Sequence, residues 1–90
     1  MIKATLISFE LPALVDYQNF ALTNKTIFKR INQLIEDILR QPFSGLGKPE
    51  PLKRDLQDFW SRRITREHRL IYSVQDDQLF IAAVKYHYHK

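Results

Sequence analysis

Apolar residues along this chain change their spacing twice, from strand-like to helical and back. Ile2 to Ser8 (IKATLIS) is rich in branched apolar residues and predicts a first strand. From Pro12 to Leu22 the spacing becomes helical, with Leu11, Leu14, Val15, Gln18 and Leu22 along one stripe. Pro12 suits the first turn of that helix, where its missing N–H would have had no partner. A second helix follows Asn24, a good N-cap residue. Ile27, Phe28, Ile31, Leu34, Ile35 and Ile38 share one of its faces, while Lys29, Arg30, Asn32, Glu36 and Asp37 lie mostly elsewhere. Pro42 stops it. These two helices predict a hairpin that covers a sheet and carries no chemistry of its own.

From Pro42 to Pro51 the segment PFSGLGKPEP breaks any periodicity and predicts a loop. It holds both glycines of the chain and three of its four prolines, enough stiffness to place a side chain without a helix or strand beneath it. Strand-like alternation then returns over Trp60–Thr65, Arg69–Val74 and Leu79–Tyr86, with Asp76-Asp77 at the second turn, and predicts an antiparallel meander. A first turn made of Arg66, Glu67 and His68 would set Thr65 opposite Arg69 and Ile64 opposite Leu70. Ile64, Leu70, Tyr72 and Val74 then face the helices, and Arg63, Thr65, Arg69 and Ile71 face away. Arg62 and Arg63 fall on opposite faces in this scheme and do not form one patch.

Ninety residues, 44% of them hydrophobic, make one ordinary globular domain spanning 1–90. The chain has no cysteine, which excludes disulfides and thiolate metal sites, and its three histidines lack the helical pairing usual for zinc. No cofactor is implied. No apolar run approaches the roughly 20 residues of a membrane span and the N-terminus has no signal-peptide pattern, so the expected setting is the cytoplasm. The net charge of +4 is unevenly spread. Up to Gly47 five cations stand against four anions, whereas from Lys48 onward nine cations face six anions. A basic second half fits a polyanion or an acidic protein partner, and equally a solvated surface.

The basic stretch also holds reactive groups. Arg63 and Arg69, at alternating positions across a hairpin, would present guanidinium forks suited to phosphate. Phe59 or Trp60 would suit stacking on a base, although a tryptophan at a sheet edge is more often part of the core. Glu50, held between two prolines, can accept a proton, and His87, near the end of the last strand, can donate one. A carboxylate, an imidazole and fixed cations are the parts needed to cleave RNA by its own 2′-hydroxyl without a metal. Singly, a loop glutamate or a terminal histidine is ordinarily solvated surface.

Four motifs occur together: PFSGLGKPEPLK from Pro42 to Lys53, FWSRRIT from Phe59 to Thr65, EHRLIY from Glu67 to Tyr72, and YHY from Tyr86 to Tyr88. Jointly they resemble the Txe/YoeB family of bacterial toxins, within the wider RelE/ParE-type superfamily. The likeness runs from the second helix to Tyr88. It is looser in the first helix, where Leu14 stands at a position the family often gives to tryptophan. The resemblance implies an α+β, RelE-like fold, with two N-terminal helices packed on a twisted, mainly antiparallel sheet of four to five strands. It also implies a type II toxin that cuts mRNA in the ribosomal A site, with Glu50 as general base and His87 as general acid. Arg69 would stabilise the transition state, Tyr88 would help orient the phosphate or substrate, and Lys53 and Arg63 would hold backbone phosphates. Lys48, Arg54 and Arg62 are further candidates for RNA contact.

The partners implied by the resemblance are the ribosome with its bound mRNA, a YefM/Phd-type antitoxin whose acidic segment folds over the basic surface, and a second copy of the chain. DNA would be reached only through the antitoxin complex. The alternative is a toxin of the same fold that acts on a protein target such as DNA gyrase, and Glu50 and His87 argue against it. His89 and Lys90 extend past the tyrosine where family chains usually stop. If a terminal carboxylate belongs near the site, that extension would displace it.

Overall fold

The structure is a computed structural model in which residues 4–86 are described, the side chain of Asp55 excepted. His87 and Tyr88 lie outside the described residues. In chain order the elements are β1 (Leu6–Phe9), α1 (Leu11–Thr23), α2 (Lys25–Arg40), β2 (Glu50–Pro51), a 3₁₀ turn (Arg54–Leu56), β3 (Trp60–Arg63), β4 (Arg69–Gln75) and β5 (Gln78–Ala83). The five strands form one sheet in the order β1-β5-β4-β3-β2. Only the β1–β5 pair is parallel, with Phe9 opposite Ile81. The helical hairpin makes the crossover that lets β1 lie beside the last strand, so the sheet is mainly antiparallel as expected.

Helix α2 follows its sequence pattern closely. The Asn24 side chain accepts from the Ile27 N–H, capping the helix. Ile31, Leu34, Ile35 and Ile38 are buried in one cluster with Leu70, Tyr72, Leu79 and Ile81 from the sheet and with Val84 just after β5. Helix α1 does not follow its pattern. Leu11 and Leu22 are 70% and 83% exposed, and the buried residues are Ala13 and Phe20. A second stripe, Ala13, Tyr17 and Phe20, turns inward because it carries the larger ring surface. Tyr17 lies between the rings of Phe9 and Phe28, at 5.3 and 5.0 Å, and its hydroxyl donates to Asn32 Oδ1 at 2.7 Å.

The β3–β4 hairpin differs from its expected register by two residues. Arg63 pairs with Arg69 and Arg62 with Leu70, leaving a five-residue turn from Ile64 to His68. Thr65 Oγ1 accepts from the N–H groups of Glu67 and His68, while the His68 carbonyl accepts from those of Ile64 and Thr65. A hydroxyl with its own local hydrogen bonds thus stabilises a longer turn than sequence spacing suggests. Because the slip is even, every strand residue keeps its expected face. One part of the face away from the helices is not open. The segment from Leu52 to Phe59 folds back on itself, with Leu52 N–H donating to the Phe59 carbonyl at 2.8 Å. Ile71 is buried on this side, beside Leu56, Phe59 and Phe80.

Candidate RNA-binding cleft and its buried support

Glu50 sits in a two-residue strand because the preceding loop is tied down. Its partner in the sheet is Ser61, and Pro51 pairs with Trp60. A proline suits such an edge position, where it need not donate to the ladder. Trp60 is half-buried against the core and stacks on Phe43 with ring centroids 4.8 Å apart, so it serves the sheet edge.

On the face away from the helices, Glu50, Pro51, Leu52, Lys53, Ser61, Arg63, Arg69 and Ile71 line a cleft of about 480 Å³. Four of the nine sequence-derived candidates thus share one concavity: Glu50, Lys53, Arg63 and Arg69. Arg63 and Arg69 are direct cross-strand partners. Like charges so placed oppose folding and concentrate positive potential where an anionic ligand would enter. Arg69 is held along the hairpin turn, its Nη1 donating to the carbonyls of Thr65 (2.7 Å), His68 (3.1 Å) and Arg66 (3.2 Å). Among the described residues the Arg63 guanidinium has no hydrogen-bond or ion-pair partner, and it is exposed. Lys48 and Arg54 are exposed with left-handed backbone, φ 53° and 63°, and neither lines the cleft.

Arg62 requires a correction. It is not an RNA contact but the centre of the core's polar cluster, with 0% of its surface exposed. Nε donates to the Tyr72 hydroxyl at 3.1 Å. Nη1 donates to Asp37 Oδ2 at 2.6 Å and to the Leu46 carbonyl at 3.1 Å, and Nη2 to the carbonyls of Gln41 (2.7 Å) and Ser44 (2.8 Å). All five guanidinium hydrogens are therefore engaged within the chain. Alternation along β3 correctly separates Arg62 from Arg63; the inward face simply has a carboxylate waiting. Asp37 was the missed signal, lying three residues after Leu34 and one before Ile38, inside the apolar stripe of α2.

The Asp37 carboxyl is held well below the usual range. Burial pushes its pKa up, but hydrogen bonds from the Leu46 N–H, Gln41, Arg62 and Arg40 outweigh that and favour the anion. Burial raises the Tyr72 hydroxyl, which stays protonated and donates to the Pro42 carbonyl at 2.7 Å. The cluster thereby satisfies the backbone of the 42–47 loop and leads the chain toward Glu50. Gly45, at φ +108°, passes so near the ion pair that a Cβ there would collide with Asp37 Oδ2. Gly47 lies over β3, its carbonyl accepting from the Arg63 N–H at 2.7 Å.

A family profile described as "YoeB-like toxin of bacterial type II toxin-antitoxin system" matches residues 9–88. Toxin YoeB of Escherichia coli K12 is 62% identical over 73 residues, 81% of this chain and 87% of that one. The YoeB/ParE toxin from Agrobacterium tumefaciens superposes with a TM-score of 0.91 at 41% identity, covering 93% of this chain and all of that one. The YoeB dimer from Staphylococcus aureus gives 0.89 at 44% identity, with 96% and 99% covered. The same organism's YoeB-YefM complex gives 0.86 at 47%, with 91% and 95% covered. Fold and relatives together define a toxin of a bacterial type II toxin–antitoxin system. Within that class, the chain belongs to the YoeB-like family.

Proposed function

We propose that this toxin is a ribosome-dependent endoribonuclease that cleaves mRNA in the A site, in the bacterial cytoplasm. The observation that carries this reading is the meeting of Glu50 with Lys53, Arg63 and Arg69 in one cleft. Glu50 removes the 2′-hydroxyl proton, and the 2′ oxygen attacks the adjacent phosphorus. As the P–O5′ bond breaks, His87 protonates the leaving 5′ oxygen, giving a 2′,3′-cyclic phosphate and a 5′-hydroxyl. Arg69 stabilises the charge on the phosphorane, while Lys53 and Arg63 hold neighbouring phosphates. Tyr88 orients the phosphate. His87 directly follows Tyr86, whose carbonyl accepts from the Arg69 N–H at 3.1 Å, and this tie supports the choice of His87 as the proton donor.

The partners follow from the same surface. An antitoxin of the YefM type covers the cleft with an acidic segment, and the toxin pairs with a second copy; a YoeB-YefM complex and a YoeB dimer from S. aureus support these two partners. Primer extension on mRNA positioned on bacterial ribosomes tests the activity. Wild type should cut within the A-site codon, Glu50→Ala and His87→Ala should each slow the cut by roughly 10²–10⁴-fold, and ribosome-free RNA should stay whole. Growth arrest by wild type with intact mRNA would overturn the reading and favour a protein target.

A further inference from the structure

His68 lies on the helix side of the sheet, opposite in facing to Arg69, and the catalytic scheme does not use it. Only 6% of it is exposed, and its ring packs between Phe20 of α1 (5.4 Å) and Tyr86 (5.6 Å). A histidine so placed would ordinarily be a packing residue. Its polar atom points to something more specific, because Nδ1 accepts from the backbone N–H of Tyr86 at 2.8 Å. An imidazole nitrogen that accepts from an N–H carries no proton, so a neutral His68 has its hydrogen on Nε2.

Tyr86 is therefore held at both ends of its backbone. Its N–H is bound by the His68 ring, and its carbonyl by the Arg69 N–H. Its φ of 61° lies in the left-handed region, which is strained for a tyrosine and persists only where surrounding contacts impose it. The two contacts come from consecutive residues, 68 and 69. The His68 carbonyl also receives Arg69 Nη1 together with the Ile64 and Thr65 N–H groups. One residue thus joins the turn that aims Arg69 to the point from which the chain continues to His87 and Tyr88.

We propose that His68 is a positioning residue for the cleavage step. As a buried acceptor it pins the Tyr86 amide, one residue before His87, against the turn that carries Arg69. The proposal rests on the nuclease reading above. A displacement of about 1 Å in such a group can cost on the order of 10²-fold in rate without weakening binding. Ring packing alone would have no such effect on the reacting geometry.

Two variants separate the acceptor from the ring. His68→Phe keeps an aromatic against Phe20 and Tyr86 but has no acceptor. His68→Asn loses the ring but carries a carbonyl oxygen at the place of Nδ1. Each is compared with wild type by amide hydrogen exchange at Tyr86, by single-turnover cleavage on saturating programmed ribosomes, and by ribosome affinity. His68→Phe should lose Tyr86 protection and cleave at least about 10-fold more slowly, with affinity changed less than about 2-fold. His68→Asn should restore most of the protection and the rate. Undiminished protection and cleavage in His68→Phe would overturn the proposal, as would equal losses in the two variants, which would mark a packing role. A wild type that cuts nothing on ribosomes would sink the nuclease reading and the catalytic purpose of the clamp together. Exchange at Tyr86 would still report whether the clamp exists, so the two failures are distinguishable.

Discussion

Arg62 and Arg63 are neighbours on one four-residue strand and have opposite fates. Arg62 is dry, shares an ion pair with Asp37 and donates all five of its hydrogens to the chain. Arg63 is exposed, faces Arg69 across the hairpin, and lines the cleft. Identical side chains one position apart thus have different surroundings: one ties down the loop that leads to Glu50, and the other leaves its charge exposed in the cleft. The lesson concerns what a buried charge is worth. Beneath the sheet, a guanidinium matters through the backbone groups it satisfies; above it, through the ones it leaves to be satisfied by something else.

The largest expected effect comes from breaking the buried half. Asp37→Ala or Arg62→Ala strands a charge in the core and should destabilise the fold by about 3–5 kcal/mol, lowering the melting temperature by at least about 10 °C. Replacing both partners by apolar residues often restores stability at a simple buried pair. Here it should not, because the carbonyls of Gln41, Ser44 and Leu46 would still lack their donor. Recovery of the double variant in denaturant titrations would show that the loop does not depend on Arg62. The pair also makes stability pH-dependent. Asp37 has a folded-state pKa below its unfolded value near 3.9, so its contribution is complete above about pH 5 and is lost as pH falls below about 4. Asp37→Asn should flatten that acid limb.

A smaller loss should follow Gly45→Ala, which adds a methyl against Asp37 and puts an L side chain at φ +108°. Roughly 1–3 kcal/mol of stability should disappear. If the loop carries Glu50 into place, cleavage at temperatures where the variant remains folded should fall as well. Thermal melts paired with primer extension would separate the two. The smallest structural effect belongs to Arg63→Ala. Stability should change by no more than about 0.5 kcal/mol, since an exposed like-charge neighbour of Arg69 is removed. Binding to programmed ribosomes should weaken and its salt dependence should drop by about one phosphate contact. A large stability loss with unchanged salt dependence would reverse the contrast between the two arginines.

Helix α2, the mainly antiparallel sheet and the facing of each strand residue were legible in the sequence because a single face of each is wet or dry. Period 3.6 in α2 and period 2 in β3 and β4 leave few alternatives. Alternation placed Arg63 and Arg69 on one face, while Glu50 and Lys53 were singled out by the proline-rich loop and the four-motif resemblance; that the four line one cleft is a matter of tertiary structure. Helix α1 was not, because it carries two apolar stripes and only the partners on β1, α2 and the hairpin turn choose the one with Tyr17 and Phe20. Nor was the role of Arg62. Its parity pointed inward, but whether an inward arginine is tolerated depends on a carboxylate twenty-five residues earlier and on carbonyls from a loop between them. The length of the β3–β4 turn rested on the Thr65 hydroxyl, and the link from His68 to Tyr86 on a contact across eighteen residues. Local sequence determined what each segment prefers, since periodicity and turn chemistry act over a few residues. Tertiary structure decided which polar groups meet, since burial makes a donor's partner matter and the partners come from distant parts of the chain.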